Sequence, residues 1–230
     1  MKTRKLGRTG LQVSEIGLGC GGKFGFTETS EEAAETILNH AIENGVNFFD
    51  TGSNYGQGLS EVRLGRYLKE NRKKIILATK CGSRLFGEVG KEIYVKRDFT
   101  YRGLITSAEE SLIRLKTDYV DLMQLHTAPA DAIKPDSEAM AALKEMQKRG
   151  MTRFIGASCD IGRGIDIINI GILDTLQVSF NICMQEAAET LLPLAHKNNV
   201  GVIIEEPIPN AFSLGKPKPD DDNSWQHPTW

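Results

Sequence analysis

Short apolar runs alternate with longer amphipathic segments along most of this chain. Seven of the runs have the length and the nearly continuous apolar character of strands that are covered on both faces. They span residues 16–19, 46–50, 75–79, 120–125, 153–158, 175–179 and 200–205. The segments between them repeat apolar residues at helical spacing, at about 30–44, 60–69, 102–115, 137–149, 164–169 and 187–197. Strands and helices in alternation predict an α/β fold with a parallel sheet.

The first predicted helix carries signals at both ends. Thr29 and Glu32 have the spacing of a capping box at its N-terminus. Gly45 follows the last apolar position and can end the helix. The inward stripe of this helix comprises Ala34, Ile37, Leu38, Ala41 and Ile42.

Two architectures are consistent with this order of elements, an open doubly wound sheet and a (β/α)8 barrel of the TIM type. The stretch from Gly17 to Gly22 loosely resembles a dinucleotide-binding fingerprint. The next helix begins only at about residue 30, which is too late for the phosphate-binding turn of that motif. Polar residues at the ends of several strands favour the barrel instead.

The number of strand-type runs falls one short of a full barrel. We therefore expect a (β/α)8 fold that is truncated after its seventh barrel strand. Two unpaired edges are unfavourable in such a sheet. Either a second copy of the chain covers them as a homo-oligomer, or the chain is a shortened form of a longer ancestor.

Two segments fall outside the alternation. Residues 5–13 place a turn signal between two short β-type stretches and predict an N-terminal β-hairpin. Residues 216–230 are polar, contain prolines and lack an apolar period, which predicts an irregular tail. We expect one barrel domain at 1–215, incomplete at its C-terminus, and this tail after it.

Composition removes several classes of partner. The 230 residues are 40% apolar and 25% charged, as in an ordinary soluble protein. A net charge of -2 gives no reason to expect a nucleic acid or an anionic membrane as partner. No apolar stretch has the length of a membrane span, and no signal sequence follows the basic N-terminus. The four cysteines form no Cys-x-x-Cys pair, so we expect free thiols in the cytoplasm and no metal site.

Four polar residues carry the candidate chemistry. Asp50, Lys80 and His126 each end a strand-type run, and Tyr55 follows Asp50 by one short glycine-containing loop. If the runs are neighbouring parallel strands, these side chains meet at one end of the sheet. At ~4 Å and an effective dielectric constant of ~20, a lysine attracts a phenolate by about 4 kcal/mol before desolvation. We therefore expect the pKa of Tyr55 to lie roughly 1 to 2 below its ordinary value of ~10.

Each of the four residues also fits a structural role when it is taken alone, as a loop brace, an ion pair, a surface tyrosine or a core histidine. Together they indicate proton transfer to an oxyanion that forms on a carbonyl carbon. Tyr55 would donate the proton, and Lys80 would stabilise the phenolate. Asp50 would hold the lysine, and His126 would orient the substrate oxygen.

These residues lie within motifs that resemble the aldo-keto reductase family from Arg4 to about Gly215. The resemblance implies a (β/α)8 barrel that transfers hydride between NADP(H) or NAD(H) and a small-molecule carbonyl substrate, with Tyr55 as general acid. It also implies that Ser158 and Gln177 hold the cofactor carboxamide and that Gly19 and Asp50 belong to the cofactor site. The matching motifs are Leu6-Gly7-Arg8-Thr9-Gly10-Leu11, Phe49-Asp50-Thr51, Tyr55-Gly56, Ser60-Glu61, Ala78-Thr79-Lys80, Ser111-Leu112-Ile113-Arg114-Leu115 and Asp118-Tyr119-Val120-Asp121-Leu122.

The chain departs from the family pattern at two places where the nicotinamide is expected. Cys159 stands where the family usually has an asparagine that touches the carboxamide. Glu205 and Glu206 stand where an aromatic residue often stacks on the nicotinamide. Either a carboxylate there favours the cationic, oxidised nicotinamide, or both glutamates point away from the site.

Three other functions remain alternatives at this point. A non-catalytic or degenerate family member would keep the pocket and bind cofactor weakly or not at all. A Schiff-base lyase would use Lys80, since a lysine at a barrel strand end also serves as a nucleophile. A metal enzyme is disfavoured, because His126 and Asp50 supply too few ligands.

Overall fold

A computed structural model describes residues 1–86 and 94–208. The strands are β1 Thr3–Lys5, β2 Gln12–Ser14, β3 Leu18–Gly19, β4 Phe48–Asp50, β5 Ile76–Cys81, β6 Ser83–Phe86, β7 Tyr94–Arg97, β8 Val120–His126, β9 Thr152–Ser158, β10 Thr175–Ser179 and β11 Gly201–Glu205. The α-helices are α1 Glu31–Glu43, α2 Leu59–Asn71, α3 Tyr101–Leu115, α4 Glu138–Lys148, α5 Ile161–Ile170 and α6 Leu191–Lys197. The seven predicted runs correspond to β3, β4, β5, β8, β9, β10 and β11.

Those seven strands form one parallel sheet in the order β11-β10-β9-β8-β5-β4-β3. The sheet is strongly curled. Asp50 on β4 and Gln177 on β10 are four strand spacings apart, which is roughly 19 Å in a flat sheet. Their side chains nevertheless share a hydrogen bond of 3.1 Å. The structure therefore has the curvature of a barrel wall, and the prediction of a (β/α)8-type fold is confirmed.

The inner face of the curled sheet is apolar at its N-terminal end. Phe48, Ala78 and Leu122 pack there with Ile76, Phe154 and Ile203. The antiparallel hairpin β1–β2, which the sequence predicted, closes this end with Leu6, Leu11 and Val13. Only the opposite, C-terminal end of the inner face remains available for chemistry.

The larger core lies between the outer face of the sheet and the helices. Helix α1 begins one residue later than the capping-box spacing suggested. Its N-cap is Ser30, whose Oγ accepts the Ala33 N–H at 3.1 Å. Thr29 instead donates its hydroxyl to the carbonyl of Lys23. Gly45 lies just past the helix with a φ of 80°, as the prediction of the helix end requires.

Two further strands lie between β5 and α3, a segment to which the sequence analysis assigned no regular element. Strands β6 and β7 pair in antiparallel register there, from Ser83↔Arg97 to Phe86↔Tyr94. This hairpin stands at the C-terminal end of the barrel wall, directly after the strand that carries Lys80. The predicted tail at 216–230 and the domain boundary at 215 lie outside the described residues.

Candidate active site

The strand registers bring the predicted site residues that lie on strands to the inner face of the sheet, and Tyr55 reaches them from the turn that follows β4. Neighbours in a parallel register share a face, and so do residues two apart on one strand. The registers Gly19↔Asp50, Lys80↔Gln124, His126↔Ser158, Ser158↔Gln177 and Ser179↔Glu205 therefore trace one continuous lining. The lining lies on the C-terminal side of the apolar layer, where barrel enzymes carry their active sites.

Lys80 is the centre of the group. Its side chain is fully buried, and its ammonium lies 2.5 Å from Asp50 Oδ2, 3.0 Å from the Tyr55 hydroxyl and 3.0 Å from the Thr51 carbonyl. Three oxygens thus surround the three N–H donors of one ammonium group. The predicted contact of a tyrosine, a lysine and a carboxylate is present in the structure.

The loop that positions Tyr55 depends on a close backbone approach. The residue after it, Gly56, has a φ of 57°, and a Cβ there would lie 1.8 Å from the carbonyl oxygen of Gly25. Only glycine fits both the left-handed conformation and the contact. The Tyr55 N–H donates to the Gly52 carbonyl at 3.0 Å, which closes the loop against the end of β4.

The pKa of one site residue, Tyr55, shifts in the direction opposite to the one expected. Burial alone would lower the pKa of Lys80, but the charge of Asp50 and then that of Tyr55 outweigh it, and the pKa of Lys80 is raised. Burial raises the pKa of Tyr55 above its ordinary value, and the opposing charge of Lys80 does not reverse this. The expectation of a depressed pKa for Tyr55 was wrong, because it underestimated desolvation. Tyr55 therefore carries its proton at neutral pH.

His126 faces Tyr55 from the end of β8. The two ring centroids are 5.7 Å apart, and the rings meet edge to face at 86°. Burial, and to a smaller extent the charges of Lys80 and Arg97, lower the pKa of His126 to about 3. Its Nδ1 atom is buried and has no hydrogen-bond partner in the described part of the chain. A neutral ring of this kind can offer one N–H to an oxygen atom next to Tyr55.

Sequence reasoning missed Gln124. This fully buried residue donates its amide Nε2 to Asp50 Oδ1 at 3.1 Å and to Gln177 Oε1 at 3.3 Å. Gln177 donates to the other Asp50 oxygen, also at 3.1 Å. The signal was available, since Gln124 lies two positions before His126 and so shares its strand face. The two amides hold the carboxyl group of Asp50 in place beside Lys80.

The residues assigned to the cofactor line one side of the same space. Ser158 and Gln177 are adjacent in register. A Cβ on Gly19 would meet no atom within 4 Å, so this strand end leaves open space. Unpartnered buried atoms at His126 Nδ1 and Gln124 Oε1 lie on the same lining. A polar planar group fits such a set of donors and acceptors.

Glu205, the last residue of the seventh strand of the sheet, and Glu206, which follows it, have different surroundings. Glu205 is half-buried on the inner face, where Ser158 Oγ lies 3.4 Å from its Oε2 atom and Ser179 Oγ lies 3.5 Å from its Oε1 atom. Glu206 is exposed, has a φ of 51° and accepts the Asn181 side-chain amide at its backbone carbonyl. Of the two open alternatives, a carboxylate at the site is therefore the one observed. Burial raises the pKa of the neighbouring Cys159 thiol to about 12.

Two other chemistries find little support in this geometry. A Schiff base requires a neutral amine, whereas the pKa of Lys80 is raised and its ammonium contacts a carboxylate. Among residues 1–86 and 94–208, no group of three or more His, Cys, Asp or Glu side chains is placed to hold a metal ion.

No helix in that part of the chain is long and apolar enough to cross a membrane.

Comparisons with known proteins agree with this arrangement. A family model described as the aldo/keto reductase family matches residues 15–229. An uncharacterised oxidoreductase of Bacillus subtilis, YqkF, is 31% identical over 218 residues, which is 94% of this chain and 68% of that protein. L-galactose dehydrogenase of Arabidopsis thaliana is 35% identical over 224 residues, covering 90% of this chain and 66% of that protein. The chain thus spans about two thirds of the length of these relatives.

Solved structures show the same similarity. The holo form of an aldo-keto reductase from Bacillus halodurans superposes with a TM-score of 0.82 at 33% identity, covering 96% of this chain and 71% of that one. A glycerol dehydrogenase from Gluconobacter oxydans superposes with a TM-score of 0.77 at 28% identity, covering 96% and 70%. On its motifs, its curled parallel sheet and these matches, the chain belongs to the aldo/keto reductase family.

Proposed function

We propose that this protein is an NAD(P)H-dependent reductase of small-molecule aldehydes or ketones, with Tyr55 as the general acid. The observation that carries the proposal is the connected chain of Tyr55, Lys80 and Asp50, with contacts of 3.0 and 2.5 Å, at the polar end of the barrel wall. Family membership makes a nicotinamide the hydride donor in this proposal. When bound, NADPH or NADH supplies a hydride with its electron pair to the carbonyl carbon.

Tyr55 supplies the proton that the reaction also needs. As the carbonyl carbon gains the hydride, negative charge develops on its oxygen, and the phenol transfers its proton there to give the alcohol. The tyrosine holds this proton beforehand, because burial raises the pKa of its phenol. Lys80, 3.0 Å away, stabilises the phenolate that is left. Solvent then returns a proton to Tyr55.

Asp50 and His126 prepare the site for this transfer. Asp50 compensates the buried charge of Lys80 and is itself held by Gln124 and Gln177. His126 is neutral at physiological pH and offers an N–H to the substrate oxygen, opposite the phenol. In the proposal, Ser158 and Gln177 hold the carboxamide of the cofactor, and Gly19 leaves room for it.

The names of two similar proteins suggest where to look for substrates. One acts on L-galactose and another on glycerol, according to their names. A third relative, from Schizosaccharomyces pombe, is named with NADP(+). We therefore propose small hydroxylated aldehydes as the first compounds to test, with NADPH before NADH.

One observation favours a second candidate, a family member that binds cofactor weakly. Gln177 is already bonded to Asp50, and Ser158 lies at hydrogen-bond distance from Glu205. A cofactor carboxamide must displace these internal partners. If the cofactor binds too weakly to be retained, the protein is a non-catalytic member of the family.

Calorimetric titration with NADPH and NADH separates the two candidates. The reductase requires a single-site isotherm with at least one of them and oxidation of that cofactor when glyceraldehyde is added. Tyr55→Phe should keep the isotherm and lose the oxidation. Tyr67→Phe is the matched control, since the Tyr67 hydroxyl donates to Asn39 Oδ1 on the outside of the barrel. Absence of binding by the intact protein would rule out the reductase.

A further inference from the structure

Glu205 places a second carboxylate in the site, beside that of Asp50, and the reaction described above does not use it. It is the last residue of β11, and Ile203, two positions earlier, packs into the inner apolar cluster. The β10–β11 register sets Glu205 beside Ser179. The side chain therefore extends from the inner face at the level of Ser158, one of the two residues proposed to hold the carboxamide.

The carboxylate is poorly neutralised. Its two hydroxyl neighbours, Ser158 and Ser179, are at 3.4 and 3.5 Å, the long limit for a hydrogen bond. Within residues 1–86 and 94–208, no lysine or arginine lies within ion-pair distance of Glu205. Asp50 already balances the charge of Lys80 at 2.5 Å, and His126 is neutral. Taken together, Asp50, Lys80, His126 and Glu205 thus carry one negative charge in excess when Glu205 is ionised.

The charge of Glu205 interacts electrostatically with the proposed catalytic residues. It contributes to raising the pKa of Tyr55, and the charge of Lys80 acts in turn on Glu205. Glu206, the next residue, is turned out to solvent. Glu205 therefore faces the site. The adjacent Glu206 does not, and its substitution serves as the matched control.

We propose that Glu205 sets the redox preference of this site, because its carboxylate stabilises the cationic, oxidised nicotinamide relative to the neutral, reduced one. This inference rests on the proposed function. A cation gains from a nearby unpaired carboxylate in a partly dry site, whereas a neutral ring does not. The balance between bound forms then shifts toward NAD(P)⁺, and the protein oxidises the alcohol of a hydroxylated substrate more readily than a site without Glu205 would.

The test compares the dissociation constants of oxidised and reduced cofactor at pH 8. Burial raises the pKa of Glu205, and the alkaline pH is chosen because it favours the ionised carboxylate. Binding of NADP⁺, NADPH, NAD⁺ and NADH is measured by calorimetry for the wild-type protein, Glu205→Gln and Glu206→Gln. We expect the ratio of the dissociation constants, oxidised over reduced, to rise about tenfold in Glu205→Gln, which corresponds to ~1.4 kcal/mol. Glu206→Gln should leave the ratio as in the wild type.

The possible results separate this inference from the proposed function. An unchanged ratio in Glu205→Gln, or an equal change in Glu206→Gln, overturns the role of Glu205 and leaves the reductase intact. If the wild-type protein binds neither form, both proposals are overturned. Glu205→Ala serves as a second variant should the glutamine fold poorly, and it is expected to change the ratio in the same direction.

Discussion

Two neighbours on strand β5 carry two buried ion-pair clusters that face opposite sides of the sheet. On the outer side, Thr79 donates its hydroxyl to Glu61 Oε1 at 2.6 Å, and Arg114 donates to Glu61 Oε2 at 2.7 Å. On the inner side, Lys80 contacts Asp50 and Tyr55. Lys80 and Glu61 are both fully buried. Sequence motifs marked both clusters, so the motifs alone do not say which of them carries chemistry.

The difference lies in what surrounds each charge. In the outer cluster each carboxylate oxygen has a strong donor, and Arg114 completes its bonding with Ser111. In the inner cluster the charged centre is also well bonded, but buried atoms next to it lack partners, at His126 Nδ1 and Gln124 Oε1. Burial of a charge therefore does not mark an active site. The unpartnered buried atoms of His126 and Gln124 distinguish the inner cluster from the outer one, in which both carboxylate oxygens of Glu61 are bonded.

Lys80→Met should give the largest effect, because it lowers both the stability of the fold and the rate of the proposed reaction. The substitution leaves Asp50 buried without its cation, and the free energy of unfolding should fall by ~3–5 kcal/mol. Cofactor oxidation should be lost as well. Urea unfolding and an aldehyde-dependent assay measure the two effects. A variant as stable as the wild type would mean that Asp50 does not depend on this pair.

Tyr55→Phe should separate chemistry from stability in the inner cluster. Loss of the acid should lower kcat/KM for an aldehyde by ~10²–10⁴-fold. The phenyl ring still packs against His126, so the unfolding midpoint should move little. A decrease of less than tenfold would show that another group supplies the proton.

Glu61→Gln should show the opposite behaviour in the outer cluster. Arg114 would lose its charged acceptor, and stability should fall by ~1–3 kcal/mol. The dissociation constant for NADPH should match that of the wild type, since Glu61 lies on the other side of the sheet. If cofactor binding weakens without a loss of stability, the division between an inner site and an outer brace is wrong.

The pH dependence of stability should report on His126. Its pKa is lowered to about 3 in the folded protein, against an ordinary value of ~6.5 in the unfolded chain. The unfolded state therefore binds more protons below pH ~6.5, and stability is full above that pH. As pH falls from there, the contribution of this residue should be lost at up to ~1.4 kcal/mol per pH unit until the folded pKa is reached.

His126→Gln should remove that slope, and His40→Gln should leave it unchanged, because His40 lies exposed on α1. Unfolding curves between pH 5 and 7.5 provide the measurement. The same slope in the wild type and in His126→Gln would assign the effect to another group.

The sequence predicted the strands of the barrel wall and the four central side chains because both follow simple rules. Continuous apolar runs mark strands covered on both faces, and parallel strand ends meet. The same reasoning missed the hairpin β6–β7, because neither Ser83–Phe86 nor Tyr94–Arg97 is a continuous apolar run in the sequence. It missed Gln124 because a single amide in an apolar strand carries no motif.

The direction of the Tyr55 pKa could not be obtained from sequence. It depends on a balance between burial and the charge of Lys80, and burial is a property of the folded protein. The orientation of Glu205 and Glu206 also required the structure, because the strand register and the positive φ of Glu206 decide which of them faces inward.

A single-turnover experiment tests the central claim most directly. Wild-type protein is mixed with slightly less than one equivalent of NADPH, glyceraldehyde is added, and the loss of reduced nicotinamide absorbance is followed by stopped flow. The account predicts oxidation of the bound cofactor in the wild type and in Glu61→Gln. It predicts at least ~10²-fold slower oxidation in Tyr55→Phe. Equal rates in the wild type and Tyr55→Phe would contradict the assignment of the inner cluster as the proton-donating site.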